Sequence, residues 1–185
     1  MKERESSGFK ITPELVEDSF SHLGKSQVEE DAFIDSCLKE MELKQPYLDA
    51  YLKKAVIKSG VGNENNGMMF RFGAAWAYTM IPTNHREELL TIDHINSTHA
   101  SIVENSSRIE DIDSRQGMAL VNLSGFVDKI GEESPAFCEW LADAVEAVED
   151  RQGKAQFMFS ALLVVMPFYM RAEARRLEKD LFKGS

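Results

Sequence analysis

Residues 69–81 of the chain, MFRFGAAWAYTMI, carry apolar side chains on nearly every face of a helix. Such a helix is stable only where other elements cover it on all sides, so this stretch predicts a central, buried helix. FMFSALLVVMPFYM, residues 157–170, has the same character. At about 1.5 Å per residue it would extend roughly 21 Å, short of the roughly 30 Å hydrocarbon core of a membrane. It therefore predicts a second core helix and no membrane partner.

The two apolar stretches lie at similar places in a repeat with an offset of 89 residues. QPYLDAYLKKAV, residues 45–56, corresponds to SPAFCEWLADAV, residues 134–145, and six residues are identical over columns 46–70. In each copy a proline starts a helix whose apolar residues recur at the spacing of one buried face. We therefore predict an internal duplication of a three-helix unit, at about residues 28–82 and 117–171. Two units packed about a pseudo-two-fold axis would cover each other's central helix.

Start and stop signals predict the limits of the other helices. A threonine followed by proline predicts a short helix over about residues 13–23, and Ser26 has the capping-box spacing to a glutamate. Residues 59–67 and 149–154 are predicted loops, and Gly131 is predicted to end a helix. The predicted buried faces are Ile34, Cys37, Leu38 and Met41 in the first unit and Leu123, Phe126, Val127 and Ile130 in the second.

Two segments lie outside the predicted repeat. The connector, residues 83–116, is too long for a structureless connection, and its isoleucines over 92–109 recur at alternating spacings of three and four. Two arrangements are open: one long helix over about 86–130, or two helices with a break near 111–117, which a glycine there favours. The C-terminal arm, residues 172–185, is predicted to be a helix with a thin apolar stripe.

The predicted fold is therefore all-α: a helical bundle of about seven or eight helices in a single compact domain over residues 1–185. A chain that is 43% hydrophobic and 28% charged is typical of a globular protein and not of a disordered one. The net charge of −10 disfavours nucleic acid and anionic membrane surfaces as partners, since both attract Lys and Arg. Solubility alone explains the charge.

Cys37 and Cys138 are the two cysteines, and neither belongs to a metal-binding or redox motif. The N-terminal sequence MKERESSGFK has no apolar region of the kind found in signal peptides. Both observations predict a cytoplasmic location with free thiols.

Motifs for catalysis and metal binding are missing from the sequence. His94 and His99 are five residues apart, unlike the four-residue spacing of a zinc-binding helix, and no acidic residue lies three positions before any histidine. We therefore predict no catalytic residue, no metal and no cofactor. His99 lies on the isoleucine seam, which favours a hydrogen-bonded core or interface histidine.

Four residues are nevertheless candidates for a ligand site between the two units: Arg71, Trp76, His94 and His99. Arg71 interrupts the first apolar stretch, so we expect it to reach solvent or a carboxylate on a neighbouring helix. Gly73, Ala74 and Ala77 form a small-residue face beside Trp76. This face favours close helix packing over a ligand groove.

Three hypotheses for function follow. The leading one is a non-catalytic cytoplasmic protein that acts through protein–protein interaction with a partner or with another copy of itself. The second is a small-molecule- or metal-binding protein, or an enzyme, with its site between the two helical units. The third is an acidic inhibitor that binds a basic surface through the acidic segment around residues 132–150.

Overall fold

The computed structural model describes residues 8–21, 26–58, 64–103 and 112–183. Within these ranges the chain forms nine α-helices and no strand, so the predicted all-α bundle is confirmed. The helices are α1 (Pro13–Phe20), α2 (Gln27–Lys44), α3 (Pro46–Lys58), α4 (Glu64–Met80), α5 (Thr83–Arg86), α6 (Ile92–Val103), α7 (Ile112–Glu133), α8 (Pro135–Ala147) and α9 (Arg151–Lys183).

Helices α4 and α9 form the centre of the bundle, where the two apolar stretches pack against each other. The two helices approach closely at Gly73: a Cβ atom built there would lie 2.5 Å from Ser160 Oγ and 2.6 Å from the Phe157 carbonyl oxygen. No side chain fits in that space, so only glycine allows the two backbones to come this close. The small-residue face predicted on α4 therefore serves helix packing at Gly73.

The other helices surround this pair in two similar halves, α1–α4 and α6–α9. In each half the first helix packs on the fourth helix of its own half and on the third helix of the other: α1 contacts α4 and α8, and α6 contacts α9 and α3. Helices α3 and α8 begin and end at the same positions after the 89-residue shift. This arrangement supports the internal duplication, which stays a prediction, and it adds one helix to each predicted three-helix unit.

Two extended segments cross between the halves, and each is bound at a junction between two helices of the other half. We call these two junctions, between α2 and α3 and between α7 and α8, the corners. The segment before α1 places Phe9 and Ile11 in the core, and the Ile11 N–H donates to Ser134 Oγ between α7 and α8 at 2.9 Å. The segment before α6 places Leu90 in the core, and its N–H donates to the side chain of Gln45 between α2 and α3 at 2.8 Å. Each corner thus uses one buried polar side chain to bind the other half.

Four predicted helix starts are confirmed. The two predicted loops are too long, and the helix end predicted at Gly131 is too early. Thr12 and Ser26 cap α1 and α2, and Pro46 and Pro135 begin α3 and α8. However, α4 starts at Glu64 and α9 at Arg151, inside the predicted loops, and α7 runs past Gly131 to Glu133. Contacts of α4 and α9 in the core extend these helices despite the glycines and polar residues.

The connector is divided into more elements than either predicted arrangement. α5 is followed by an irregular segment, and α6 begins at Ile92, so a helix starting near residue 86 is wrong. Residues 104–111 lie outside the described ranges, and Gly117 lies within α7. On α6 the buried face consists of Ile95, Thr98 and Ile102, while Ile92 is exposed. The buried face is therefore shifted around the helix from the predicted isoleucine seam, which included Ile92.

The C-terminal arm continues α9, which is a single helix of 33 residues that includes Pro167. By length and composition α9 could cross a membrane, because one window of 18 residues has a mean hydropathy of 1.3. However, 72% of that window is buried inside the bundle, as in the core helix of a globular protein. Its apolar character is therefore weak support for a membrane span.

Candidate functional site

An apolar cavity lies where the two halves meet, between α1, α4, α8 and the first turns of α9, and has a volume of about 880 Å³. We call it the acidic groove. Its floor consists of aromatic side chains, and its rim consists of carboxylates. The floor residues are Phe20, Phe72, Trp76, Trp140 and Phe157. The rim residues are Glu17, Glu139, Asp143, Glu149 and Asp150, all of them exposed.

The floor is built around the two tryptophans, whose ring centroids are 5.2 Å apart with the planes at 73°. Phe157 of α9 lies 5.8 Å from Trp140 and 6.3 Å from Trp76 by ring centroid. Phe20 of α1 lies edge-on to Trp76 at 5.3 Å and is 48% exposed, so it forms the open side of the cluster. These rings offer apolar contact and π faces to an occupant.

The charge of the rim has a single sign. Glu139 and Asp143 lie four residues apart on α8, which places them on one face of that helix. Glu149 and Asp150 lie between α8 and α9, and Glu17 of α1 lines the same groove. None of the described residues that line the groove is Lys, Arg or His. The groove therefore favours a positively charged occupant.

The two indole N–H groups differ in their surroundings. Trp76 Nε1 donates to Ser19 Oγ at 2.9 Å, which joins α4 to α1. Trp140 Nε1 is buried, and within the described ranges it has no acceptor. An unsatisfied buried donor costs about 1–3 kcal/mol. Packing alone therefore gives no reason for tryptophan over phenylalanine at position 140.

Of the four candidate residues, only Trp76 lines the acidic groove. Arg71 is five residues earlier on α4, about 140° around the helix, and faces a different cavity. Its Nη2 atom lies 2.7 Å from Asp35 Oδ1 of α2, and the two side chains are 55% and 70% exposed. The expected pairing with a neighbouring carboxylate is found. A pair this exposed contributes about 0–1 kcal/mol to stability.

The cavity beside Arg71 lies between α2, α3 and α4 and has a volume of about 1010 Å³. Its charges are of both signs and pair with each other. Lys53 Nζ lies 2.8 Å from Asp49 Oδ2 and 3.5 Å from Glu42 Oε1. Because these charges neutralise one another, this larger cavity has less selectivity for a charged ligand than the acidic groove.

His94 and His99 lie on α6, away from the groove lining. The Thr91 N–H donates to His94 Nδ1 at 3.0 Å, and the His94 N–H donates to Thr91 Oγ1, which makes a reciprocal cap at the start of α6. Burial lowers the pKa of His94, with the nearby Arg171 and Arg175 adding to the effect. His99 Nδ1 lies 3.1 Å from the hydroxyl of Tyr51 and joins α6 to α3.

Chemical reactivity is low at the two thiols. Both cysteines are free, and burial raises the pKa of Cys37 to about 11 and also raises the pKa of Cys138. Thiols with such pKa values are protonated at neutral pH and are poor nucleophiles. Within the described ranges, no group of three or more His, Cys, Asp or Glu side chains is placed to hold a metal ion.

Among the residues of the groove, the site candidates from the sequence include Trp76 but no other floor residue and no rim residue. In sequence, Trp140 belongs to the apolar face of the helix predicted within residues 134–145, and Glu139 and Asp143 belong to the acidic segment around residues 132–150. The sequence signal that could have found the groove is an acidic pair four residues apart on α8, with a tryptophan between the two acids.

The chain matches no protein-family model, and no curated protein or solved structure is significantly similar to it.

Proposed function

We propose that this protein is a non-catalytic binding protein that acts through contact with another protein, and that the acidic groove receives a basic, apolar helical segment of that partner. The observation that carries the proposal is the combination of an aromatic floor with a rim of five carboxylates. Apolar contact would supply affinity, and the carboxylates would select and orient a cationic segment. In this role the protein acts in the cytoplasm.

Tryptophan fluorescence provides a direct test. The chain has two tryptophans and both line the groove, so a change in their emission reports on this site. The probe is a synthetic amphipathic helix of leucine and lysine of about 15 residues. We expect a saturable change in emission with this peptide, and none with the same peptide carrying glutamate in place of lysine. An equal response to both peptides would contradict the selection by charge.

Charge reversal on the rim tests the same point from the protein side. Asp143→Lys and Glu139→Lys should each weaken peptide binding about three- to tenfold, because each removes an attraction and adds a repulsion. Asp128→Lys is the matched control: Asp128 is exposed on α7 and does not line the groove. Equal effects at positions 143 and 128 would assign the binding to net charge and not to the groove.

A small hydrophobic cation is a second candidate for the ligand. The groove volume of about 880 Å³ lies within the range of roughly 300–1,000 Å³ that is typical of small-molecule sites. The faces of Trp76 and Trp140 could also bind a cation directly. Titration with tetraphenylphosphonium distinguishes the two candidates. Saturable binding of this cation without binding of the basic peptide would favour a small-molecule-binding protein.

A further inference from the structure

The C-terminal arm exposes apolar side chains that the bundle does not cover. Leu177, Leu181 and Phe182 are 50%, 75% and 82% exposed, and they lie within two turns at the end of α9. Ala172, at the start of the arm, is still buried at 3% exposure. The arm therefore leaves the core after its first residues and projects as a helix with an apolar surface. Such a cluster is typical of an interaction site.

The charge of the arm is opposite to that of the groove. Residues 172–185 contain four Lys or Arg and three Asp or Glu, a net charge of +1 in a chain of net charge −10. Lys179 is exposed among the apolar residues, and it has no ion-pair partner within the described ranges. Arg175 and Arg176 pair with carboxylates of the same chain, so Lys179 is the cation that the arm offers to another surface. The arm is thus a helical segment with exposed apolar residues and a small net positive charge, which suits the proposed function of the groove.

The arm cannot reach the groove of its own chain. Phe157, near the start of α9, lines the groove, and Leu177 lies 20 residues further along the same helix. At 1.5 Å per residue the two positions are about 30 Å apart along the axis. Folding the arm back would require breaking α9 within its buried part. An arm that enters the groove must therefore come from a second copy.

We propose that the arm of a second copy occupies the acidic groove and that the exchange is reciprocal, which gives a closed dimer with two identical contacts. This inference rests on the proposed function of the groove and names its partner. Leu177 and Phe182 contact the aromatic floor, and Lys179 faces the carboxylates of Glu139 and Asp143. A contact made in one direction only would instead build an open chain of copies.

Sedimentation velocity on the full chain tests the dimer. At about 100 μM the wild-type protein should sediment as twice its mass of 20.9 kDa. The arm variant, Leu177→Glu with Phe182→Glu, and the groove variant, Glu139→Lys with Asp143→Lys, should each sediment as monomers. Leu43→Glu is the matched control, since Leu43 is 81% exposed on α2 and does not line the groove, and it should remain dimeric.

Mixing the two defective variants makes the test specific. The arm variant keeps an intact groove, and the groove variant keeps an intact arm. In an equimolar mixture, the intact arm of one variant can therefore bind the intact groove of the other, which forms one of the two contacts of the dimer. We expect heterodimers in the mixture at concentrations where each variant alone is monomeric. A monomeric wild-type protein, a dimeric arm variant, or a mixture that stays monomeric would each overturn the proposal.

The arm variant also separates this inference from the proposed function. Suppose that the arm variant dimerises like the wild type and that its tryptophan emission responds to the leucine–lysine peptide. The groove then binds basic helices, but the arm is not its partner. If neither that peptide nor a peptide of residues 172–185 changes the emission of the arm variant, the groove binds no such helix. In that case the proposed function fails as well.

Discussion

Gly73 and Gly125 are both helical glycines, but only Gly73 faces another helix. A Cβ at position 73 would meet Ser160 and the Phe157 backbone, whereas a Cβ at position 125 has no described atom within 4 Å. Gly73→Ala should lower the free energy of unfolding by about 1–3 kcal/mol, because α4 and α9 must separate. Gly125→Ala should raise it by about 0.5–1 kcal/mol through helix propensity.

Urea denaturation of the two variants measures both changes. The opposite signs are the informative result, because both substitutions add one methyl group to a helix. A Gly73→Ala protein as stable as the wild type would mean that α4 and α9 have room to separate at this crossing.

His94 gives a prediction for pH dependence. Burial lowers its pKa below the ordinary 6.5, so as the pH falls the unfolded chain takes up this proton before the folded chain does. The contribution of the neutral ring to stability is full above about pH 6.5 and is lost as the pH falls from there towards the folded pKa. Protonation at Nδ1 also breaks its bond from the Thr91 N–H.

His94→Gln is the variant that isolates this effect. Glutamine at this position completes a standard capping box and does not titrate, while the nearby Arg171, Arg175, Glu88 and Asp93 are unchanged. The wild type should lose more stability than the variant between pH 7 and pH 5, by up to about 1 kcal/mol, the usual value of a cap. Thermal unfolding at several pH values measures the difference, and parallel pH profiles would contradict the prediction.

At the scale of helices, the corners between α2 and α3 and between α7 and α8 bind the two crossing segments. The side chain of Gln45 donates to the carbonyl oxygens of Arg86 and Glu88 and accepts from the Leu90 N–H. Among the described residues, the hydroxyl oxygen of Ser134 accepts one bond, from the Ile11 N–H. The first corner therefore satisfies three backbone groups and the second satisfies one.

This difference predicts unequal costs of substitution. Gln45→Met keeps the size of the side chain but removes the partner of the Arg86 carbonyl oxygen and of the Leu90 N–H, while the Glu88 carbonyl oxygen keeps its bond from Arg171. It should therefore cost about 2–4 kcal/mol of unfolding free energy. Ser134→Ala should cost about 1–2 kcal/mol. Gln27→Met is the surface control, since Gln27 is exposed and bonds only to Asp31 of its own helix among the described residues, and it should change stability by less than about 0.5 kcal/mol. Chemical denaturation ranks the three variants, and equal losses for Gln45→Met and Gln27→Met would contradict the role of the corner.

At the scale of the whole molecule, the two halves share their core and exchange their first helices. α1 packs on α8 of the other half, and α6 packs on α3, while α4 and α9 cover each other. Neither half can unfold without exposing the central helix of the other. We therefore expect one cooperative transition, with the loss of helical circular dichroism coinciding with the change in tryptophan emission. Two separate transitions would show that the halves are independent domains.

The sequence by itself determined the helical class, the two buried central helices and most of the helix starts. These features depend on interactions between neighbours three or four residues apart, such as the apolar periods of α2 and α8, the cap at Ser26 and the prolines that begin α3 and α8. Boundaries were less accurate at Glu64 and Arg151, where packing in the core extends α4 and α9 into predicted loops.

Only the tertiary structure decided which polar residues are buried and where the groove lies. Gln45 and Leu90 are 45 positions apart, and Ile11 and Ser134 are 123 positions apart. In sequence these residues look like ordinary surface or terminal positions. The acidic groove likewise joins α1, α4, α8 and α9, and no single helix carries both its floor and its rim in full. Periodicity reports the environment along one helix, whereas a site assembled from four helices depends on how those helices are packed against one another.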